Sequence, residues 1–313
     1  MKTLNVAAYG QHIMYKDLAK YGEAIRTAGW DSIILAMLHP HPEDDTTHTE
    51  NIYFGEVKIL ESGVYRGNPA WPGQLHELAK GSGTTLYHLL AGIGGADVGD
   101  FGNIKAIYEN HNHSFAGTML QTNFQVFHDT FPAVTIIDMD VEDTYDVSSF
   151  VAFCRMLITI GFGITFCPYI YKEEFWIPSL KQLNQSDPGA VKWWNLQCYD
   201  GGAENDPQVW ANAIAKAIPG FDTTGFIIPG DWSRHLVKEG TDRSNWYWRG
   251  DCPPAVQDLM RNFKGEPSVG GGFIWTIDQI LNYAADQKLK PDPHPCGNVG
   301  MQDYIKAITA VFG

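Results

Sequence analysis

Positive charge is scarce in this chain: 22 Lys and Arg stand against 36 Asp and Glu, giving a formal net charge of −14 and a pI near 5.1. Nucleic acid and anionic membrane are therefore disfavoured as partners, because both are held by basic residues that displace counterions. No apolar run approaches the roughly 18 residues of a membrane-crossing helix, and Met1 to Tyr9 lacks the long apolar segment of a signal peptide. The compartment stays open between cytoplasmic and secreted with a leader removed. Cysteine is sparse and odd in number, five in 313 residues, which excludes a disulfide-scaffold protein. Cys167 and Cys198 sit in apolar strand-like runs and read as free buried thiols, while a Cys252 to Cys296 bridge is left open by spacing alone. No internal repeat of about 20 to 50 residues and no linker divides the chain.

Aromatic residues, by contrast, are plentiful. The 10 Trp, 14 Tyr and 16 Phe within a hydrophobic fraction of 44% supply a large core, with rings to spare of the kind that line sugar-binding grooves. A neutral substrate fits this surface better than an anionic one.

The apolar pattern alternates between two periods. Thr3 to Tyr9 reads as a buried strand, and Tyr15 to Ala28 as a helix stopped by Gly29. Further strands are expected at Asp31 to Leu38, Thr85 to Ala91, Val134 to Glu142, Gly163 to Tyr169, Lys192 to Tyr199, Gly225 to Pro229 and Gly271 to Trp275. Helical periodicity fills the intervals, as in Val147 to Ile160 and Pro207 to Ala217. One interval departs: His39 to Asn68 is rich in Pro, Asp, Thr and His, too long for a turn, and is expected to carry a hairpin around Ile52 to Tyr65. Strands alternating with helices in this way predict an α/β fold, a single (β/α)8 TIM barrel over residues 1–313 with a hairpin excursion after its second strand. Reacting groups then gather at the carboxyl ends of the strands. The chain is expected to act as a monomer.

The strand from Val134 to Glu142 carries the chemistry. Asp138, Asp140 and Glu142 fall at every second position, with Ile137, Met139 and Val141 between them, so a pleated strand turns three carboxyls one way and three apolar groups the other. Like charges about 6 to 7 Å apart on one face raise each other's pKa, and burial raises them further, so a proton is held near neutral pH. A carboxylic acid beside carboxylates suits acid catalysis. The same row also fits a divalent-metal site in a barrel hydrolase, or a barrel that binds sugar without turning it over.

Other clusters read as structural. His111 and His113, interleaved with Asn110 and Asn112, have the spacing of a solvated helix end and no cysteine nearby to make a zinc site. His39 and His41 read as rim or loop residues. Gly92 to Gly95 lacks the Gly-Lys-Ser/Thr of a phosphate loop and is better explained by tight packing. No metal and no cofactor is expected.

Taken together, four motifs resemble glycoside hydrolase family 18, the chitinases and their endo-acetylglucosaminidase relatives. That family carries Asp-x-x-Asp-x-Asp-x-Glu at its fourth strand; Asp138, Asp140 and Glu142 match the last three acids, and Thr135 replaces the first. Position 135 has the opposite parity and should face the helix layer. Gly92-Ile93-Gly94-Gly95 is similar to the family's Ser-x-Gly-Gly, with Gly92 in place of Ser and Asp100-Phe101 following. Gln197-Cys198-Tyr199-Asp200 and Gly272-Phe273-Ile274-Trp275 resemble the ends of its sixth and eighth strands. The resemblance implies an oligo- or polysaccharide containing N-acetylglucosamine as substrate and a retaining reaction in which the substrate's own 2-acetamido group attacks. It implies Glu142 as general acid and base, Asp140 orienting the acetamide, Asp138 sharing a proton with Asp140, Tyr199 donating to the acetamide oxygen and Trp275 flooring the sugar. Gln197, Asp200, Tyr169, Trp71 and Trp232, at expected strand ends or cleft-side loops, are the further binding candidates.

Overall fold

The computed structural model describes residues 4–40 and 50–313; His41 lies outside the described residues. Thirteen strands occur in them: β1 (Asn5–Gly10), β2 (Ser32–His39), β3 (Ile52–Phe54), β4 (Val57–Glu61), β5 (Val64–Tyr65), β6 (His88–Gly94), β7 (Val134–Asp140), β8 (Gly163–Phe166), β9 (Val191–Gln197), β10 (Ile227–Trp232), β11 (His235–Val237), β12 (Tyr247–Arg249) and β13 (Gly271–Trp275). The helices are α1 (Ile13–Lys16), α2 (Leu18–Arg26), α3 (Trp71–Lys80), α4 (Asp100–Asn110), α5 (Met119–Thr130), α6 (Val147–Ile160), α7 (Glu173–Ser186), α8 (Pro207–Ala217), α9 (Pro253–Asn262), α10 (Ile277–Leu289) and α11 (Met301–Phe312). No helix among the described residues is long and apolar enough to cross a membrane.

The parallel strands pair in the order β1-β13-β10-β9-β8-β7-β6-β2, and β2 pairs back to β1, closing the (β/α)8 barrel expected from the sequence. Both faces of such strands are buried, which is why Ser32–His39 reads as a nearly continuous apolar run. Alternate residues divide between two cores. Tyr9, Ile34, Met37, Leu90, Ile136, Trp193, Ile228 and Phe273 fill the barrel, whereas Ile137, Met139 and Val141 pack into the layer between strands and helices. The division confirms the parity read for the acidic strand, and Thr135 lies on the outer side, exposed.

Two excursions shape the mouth. After β2, the strands β3, β4 and β5 extend the sheet antiparallel, through pairs such as Leu38 with Phe54. Helix α3 then opens on Trp71, which has no exposed surface. Its indole Nε1 donates to Met14 O at 2.6 Å, and its ring lies among Tyr15, Phe54 and Phe131. Trp71 is thus a structural pin beneath the excursion and not a cleft residue, contrary to the expectation. Its expected place in a cleft-side loop was suggestive, but the neighbouring rings capture it.

After β10, the antiparallel pair β11 and β12 forms the second excursion. Its base is fixed by a bidentate ion pair from Arg234 to Asp292, at 2.9 and 2.7 Å, and by a disulfide between Cys252 and Cys296. The structure thereby closes the bridge that spacing had left open, and leaves Cys154, Cys167 and Cys198 as free buried thiols.

Candidate active site

β7 ends at Asp140, so Asp138 and Asp140 project into the barrel from the strand and Glu142 stands just beyond it. Asp138 is fully buried and accepts three hydrogen bonds: from Tyr9 Oη at 2.6 Å, Thr165 Oγ1 at 2.5 Å and Asn195 Nδ2 at 2.9 Å. Burial pushes its pKa up, and these three donors push it back. The net shift is upward, burial outweighing the three donors that favour the carboxylate.

One step higher, Asp140 is hydrogen-bonded to Glu142 and accepts from Gln197 Nε2 at 2.9 Å. Burial, then the charge of Glu142, then that of Asp138 raise its pKa well above the carboxylate range. Glu142 is raised too, by burial first, against hydrogen bonds from Gln197, whose Nε2 is 3.3 Å from Oε1, and from Asp140. Asp140 and Glu142, each raised and each hydrogen-bonded to the other, therefore titrate together and not singly. Asp138 acts on this pair from below, its charge being a further cause that raises Asp140.

Glycines make the row possible. Gly94 (φ 105°) pairs with Asp140 in the sheet, and a Cβ there would strike the Asp140 carbonyl and the Phe101 ring. At Gly92 a Cβ would meet Met37 Sδ, so any larger residue there requires the methionine side chain to move.

The wall opposite β7 is aromatic. Tyr199 follows β9, 9% exposed, with its ring stacked on Trp232 at 5.6 Å and 25°. Burial, with the nearby acidic groups, holds its hydroxyl protonated, and among the described residues no group hydrogen-bonds it. Trp275 ends β13, half-buried against Tyr9 at 5.2 Å. Asp200 is exposed and engaged by Arg249 of the second excursion, Nη2 to Oδ1 at 2.6 Å, while Arg249 also covers the Trp232 ring at 4.5 Å. Tyr169 Oη lies 3.3 Å from Asp200 Oδ2 and accepts from Gly201 N. Beyond Trp275 a cavity of about 330 Å³ opens between Gly94, Gly95, Met37, His39, Phe54 and the His12 to Lys16 turn.

Of the candidates read from the sequence, the structure brings together Asp138, Asp140, Glu142, Gln197, Tyr199 and Trp232, with Asp200 and Tyr169 on the rim and Trp275 between the acids and the cavity. Trp71 is not among them. His39, expected on the rim, lines that cavity and turns its Nδ1 to Asp100 Oδ2, 2.8 Å away, while His111 ends α4 and His113 is exposed. Tyr9, Thr165, Asn195 and Arg249 escaped the sequence reading. Tyr9 was findable, since it ends a predicted strand. Tyr145, pushed up to about 12 by burial and then by Glu142 and Asp140, is another missed neighbour of the acids. Among the described residues no group of three or more His, Cys, Asp or Glu is arranged to hold a metal ion.

Fold and site thus define a (β/α)8 barrel with a buried, proton-sharing acidic row beneath an aromatic cleft. No family model matches the sequence, and no curated protein does. Among solved structures the chain is similar to the chitinase ChiA74 from Bacillus thuringiensis, with TM-score 0.58, 12% identity and coverage of 98% of this chain and 70% of that one. It is also similar to the spore cortex-lytic enzyme SleL of Bacillus megaterium QM B1551, with TM-score 0.54, 9% identity and coverage of 98% and 73%. At such identities the likeness establishes the barrel fold.

Proposed function

We propose that this chain is a retaining glycoside hydrolase that cleaves β-linked glycans containing N-acetylglucosamine, with the substrate's 2-acetamido group as nucleophile. The observation that carries this reading is the hydrogen-bonded pair Asp140 and Glu142 on one strand end. A retaining enzyme with its own nucleophile needs a second free carboxylate about 5 Å from the acid, across the sugar ring. Here the nearest acid is bonded to Glu142 itself, and Asp200 is occupied by Arg249. An attacking group brought by the substrate fits that arrangement.

In this reading Glu142 takes the pair's proton and gives it to the leaving glycosidic oxygen. Asp140, now anionic, accepts the acetamide N–H and balances the positive charge that grows at the anomeric carbon as the acetamide oxygen attacks. The Tyr199 hydroxyl, without a partner among the described residues, donates to that oxygen. Glu142 then draws a proton from water, which opens the oxazolinium ring with net retention. The charge of Asp138 below raises Asp140 and so favours a proton on the pair above it. The two structural neighbours, a chitinase and a spore cortex-lytic enzyme by name, support a glycosidase, and the acetamido requirement admits chitin, peptidoglycan glycan or an N-glycan core.

Glu142→Gln tests the assignment: hydrolysis of a chromogenic chitooligosaccharide should fall by at least about 100-fold while oligosaccharide binding survives. Undiminished turnover in that variant would remove Glu142 from the reaction. Activity that EDTA abolishes and a divalent ion restores would point to metal chemistry. Binding of chitin fragments by the wild type without turnover would leave a sugar-binding barrel. Inhibition by a thiazoline, which imitates the oxazoline intermediate, separates substrate assistance from a protein nucleophile.

A further inference from the structure

β8 runs parallel to the acidic strand, with Asp138 opposite Thr165 and Met139 opposite Phe166, and the Cys167 N–H donates to Met139 O at 2.9 Å. Side chains alternate, so Thr165 and Cys167 enter the barrel two residues apart, in step with Asp138 and Asp140. β9 repeats the pattern on the far side of β8: Asn195 donates to Asp138, and Gln197 to Asp140. At the lower level the β8 donor is a hydroxyl. At the upper level it is a thiol, 1% exposed, with Sγ accepting from the Tyr9 hydroxyl at 3.2 Å and lying beside the Asp140 carboxyl.

We propose that Cys167 is a positioning residue of the reaction: its S–H is to Asp140 what the Thr165 hydroxyl is to Asp138, and it holds the Asp140 carboxyl turned to Glu142. The choice of sulfur has a chemical sense. A thiol is a weaker donor than a hydroxyl, so it fixes the carboxyl while stabilising its anion less, and the proton stays on the pair. Burial, together with the charges of Asp140 and Asp138, keeps the thiol protonated and hence a donor. The groups facing it are Tyr9, Asp138, Asp140, Glu142 and Tyr199. Cys167 acts through Asp140, and its role rests on the reading of Asp140 and Glu142 as the reacting pair.

The test compares wild type with Cys167→Ser and Cys167→Ala. In protein labelled with ¹³C at the Asp and Glu carboxyls, with Asp140→Asn for assignment, NMR titration follows the pair without any substrate. A donor to Asp140 favours the charged form, so the stronger hydroxyl should move both steps of the pair to lower pH and alanine should move both to higher pH. Both limbs of the kcat/KM profile should follow in the same order, with kcat in the alanine variant down about tenfold, the scale of one hydrogen bond to a charged group. Coincident titrations in the three proteins, or both variants shifting the same way, would overturn the proposal. Should Cys167→Ala fail to fold, serine against cysteine still decides by the sign of its shift. If the titrations order as expected but the wild type hydrolyses no acetamido glycan, the functional reading falls and the control of the pair by Cys167 stands.

Discussion

Gln197 Nε2 lies 2.9 Å from Asp140 Oδ1, and the same amide nitrogen reaches Glu142 Oε1 at 3.3 Å. One neutral side chain from β9 therefore braces both members of the proton-sharing pair, and its bond to Glu142 holds that carboxyl's pKa down against burial. Gln197→Leu removes the brace while roughly keeping the volume. The pair should then keep its proton to higher pH, and the alkaline limb of kcat/KM should move up by about one unit, since a hydrogen bond to a charged group is worth about one such unit. A pH series of initial rates checks this, and a limb moving downward would contradict it.

Asp231 on β10 is 2% exposed and pushed up to about 8, by burial first and then by Asp251, against a hydrogen bond from Trp232 N. The folded chain thus binds this proton more tightly than the unfolded chain. The stability it contributes is present below the ordinary carboxylate range and is lost as pH rises toward about 8. Asp231→Asn keeps an oxygen to accept the Trp232 N–H, which lies 2.8 Å from Oδ1, and removes the charge. Its melting temperature should exceed that of wild type by at least about 2 °C at pH 8, with the gap closing toward pH 4. Thermal unfolding across that range reads the difference directly.

Trp71 gives the complementary prediction. Trp71→Ala should cost about 3 to 5 kcal/mol of stability, the range for emptying a fully buried aromatic site, because the ring and its bond to Met14 O are both lost. Denaturant unfolding measures the loss. At a temperature where the variant stays folded, KM for a short oligosaccharide should stay within about twofold of wild type, whereas Trp232→Ala should raise it about tenfold or more, as loss of a stacking ring does. Equal KM effects from both would return Trp71 to the cleft.

Both periods of the fold were legible in the chain. Apolar runs such as Ser32–His39 and the two-residue alternation of Asp138, Asp140 and Glu142 are local properties, set by pleat geometry, and they fixed strand number, parity and the inward face of the acidic row. Tyr199 and Trp275 were reached through the resemblance, and the structure places them just after β9 and at the end of β13. What local pattern could not carry was the partner of each acid. Asp138 is held by Tyr9, 129 residues before it, and by Thr165, 27 after it, and both contacts depend on which strands lie side by side and in what register. The balance of burial against hydrogen bonding at each acid followed from those contacts too. Burial of Trp71 and capture of Asp200 by Arg249 likewise arise where two excursions fold back on the mouth of the barrel. Sequence determined which face each carboxyl takes, and only the closed barrel decided its neighbours, since burial and hydrogen bonding are properties of the assembled packing.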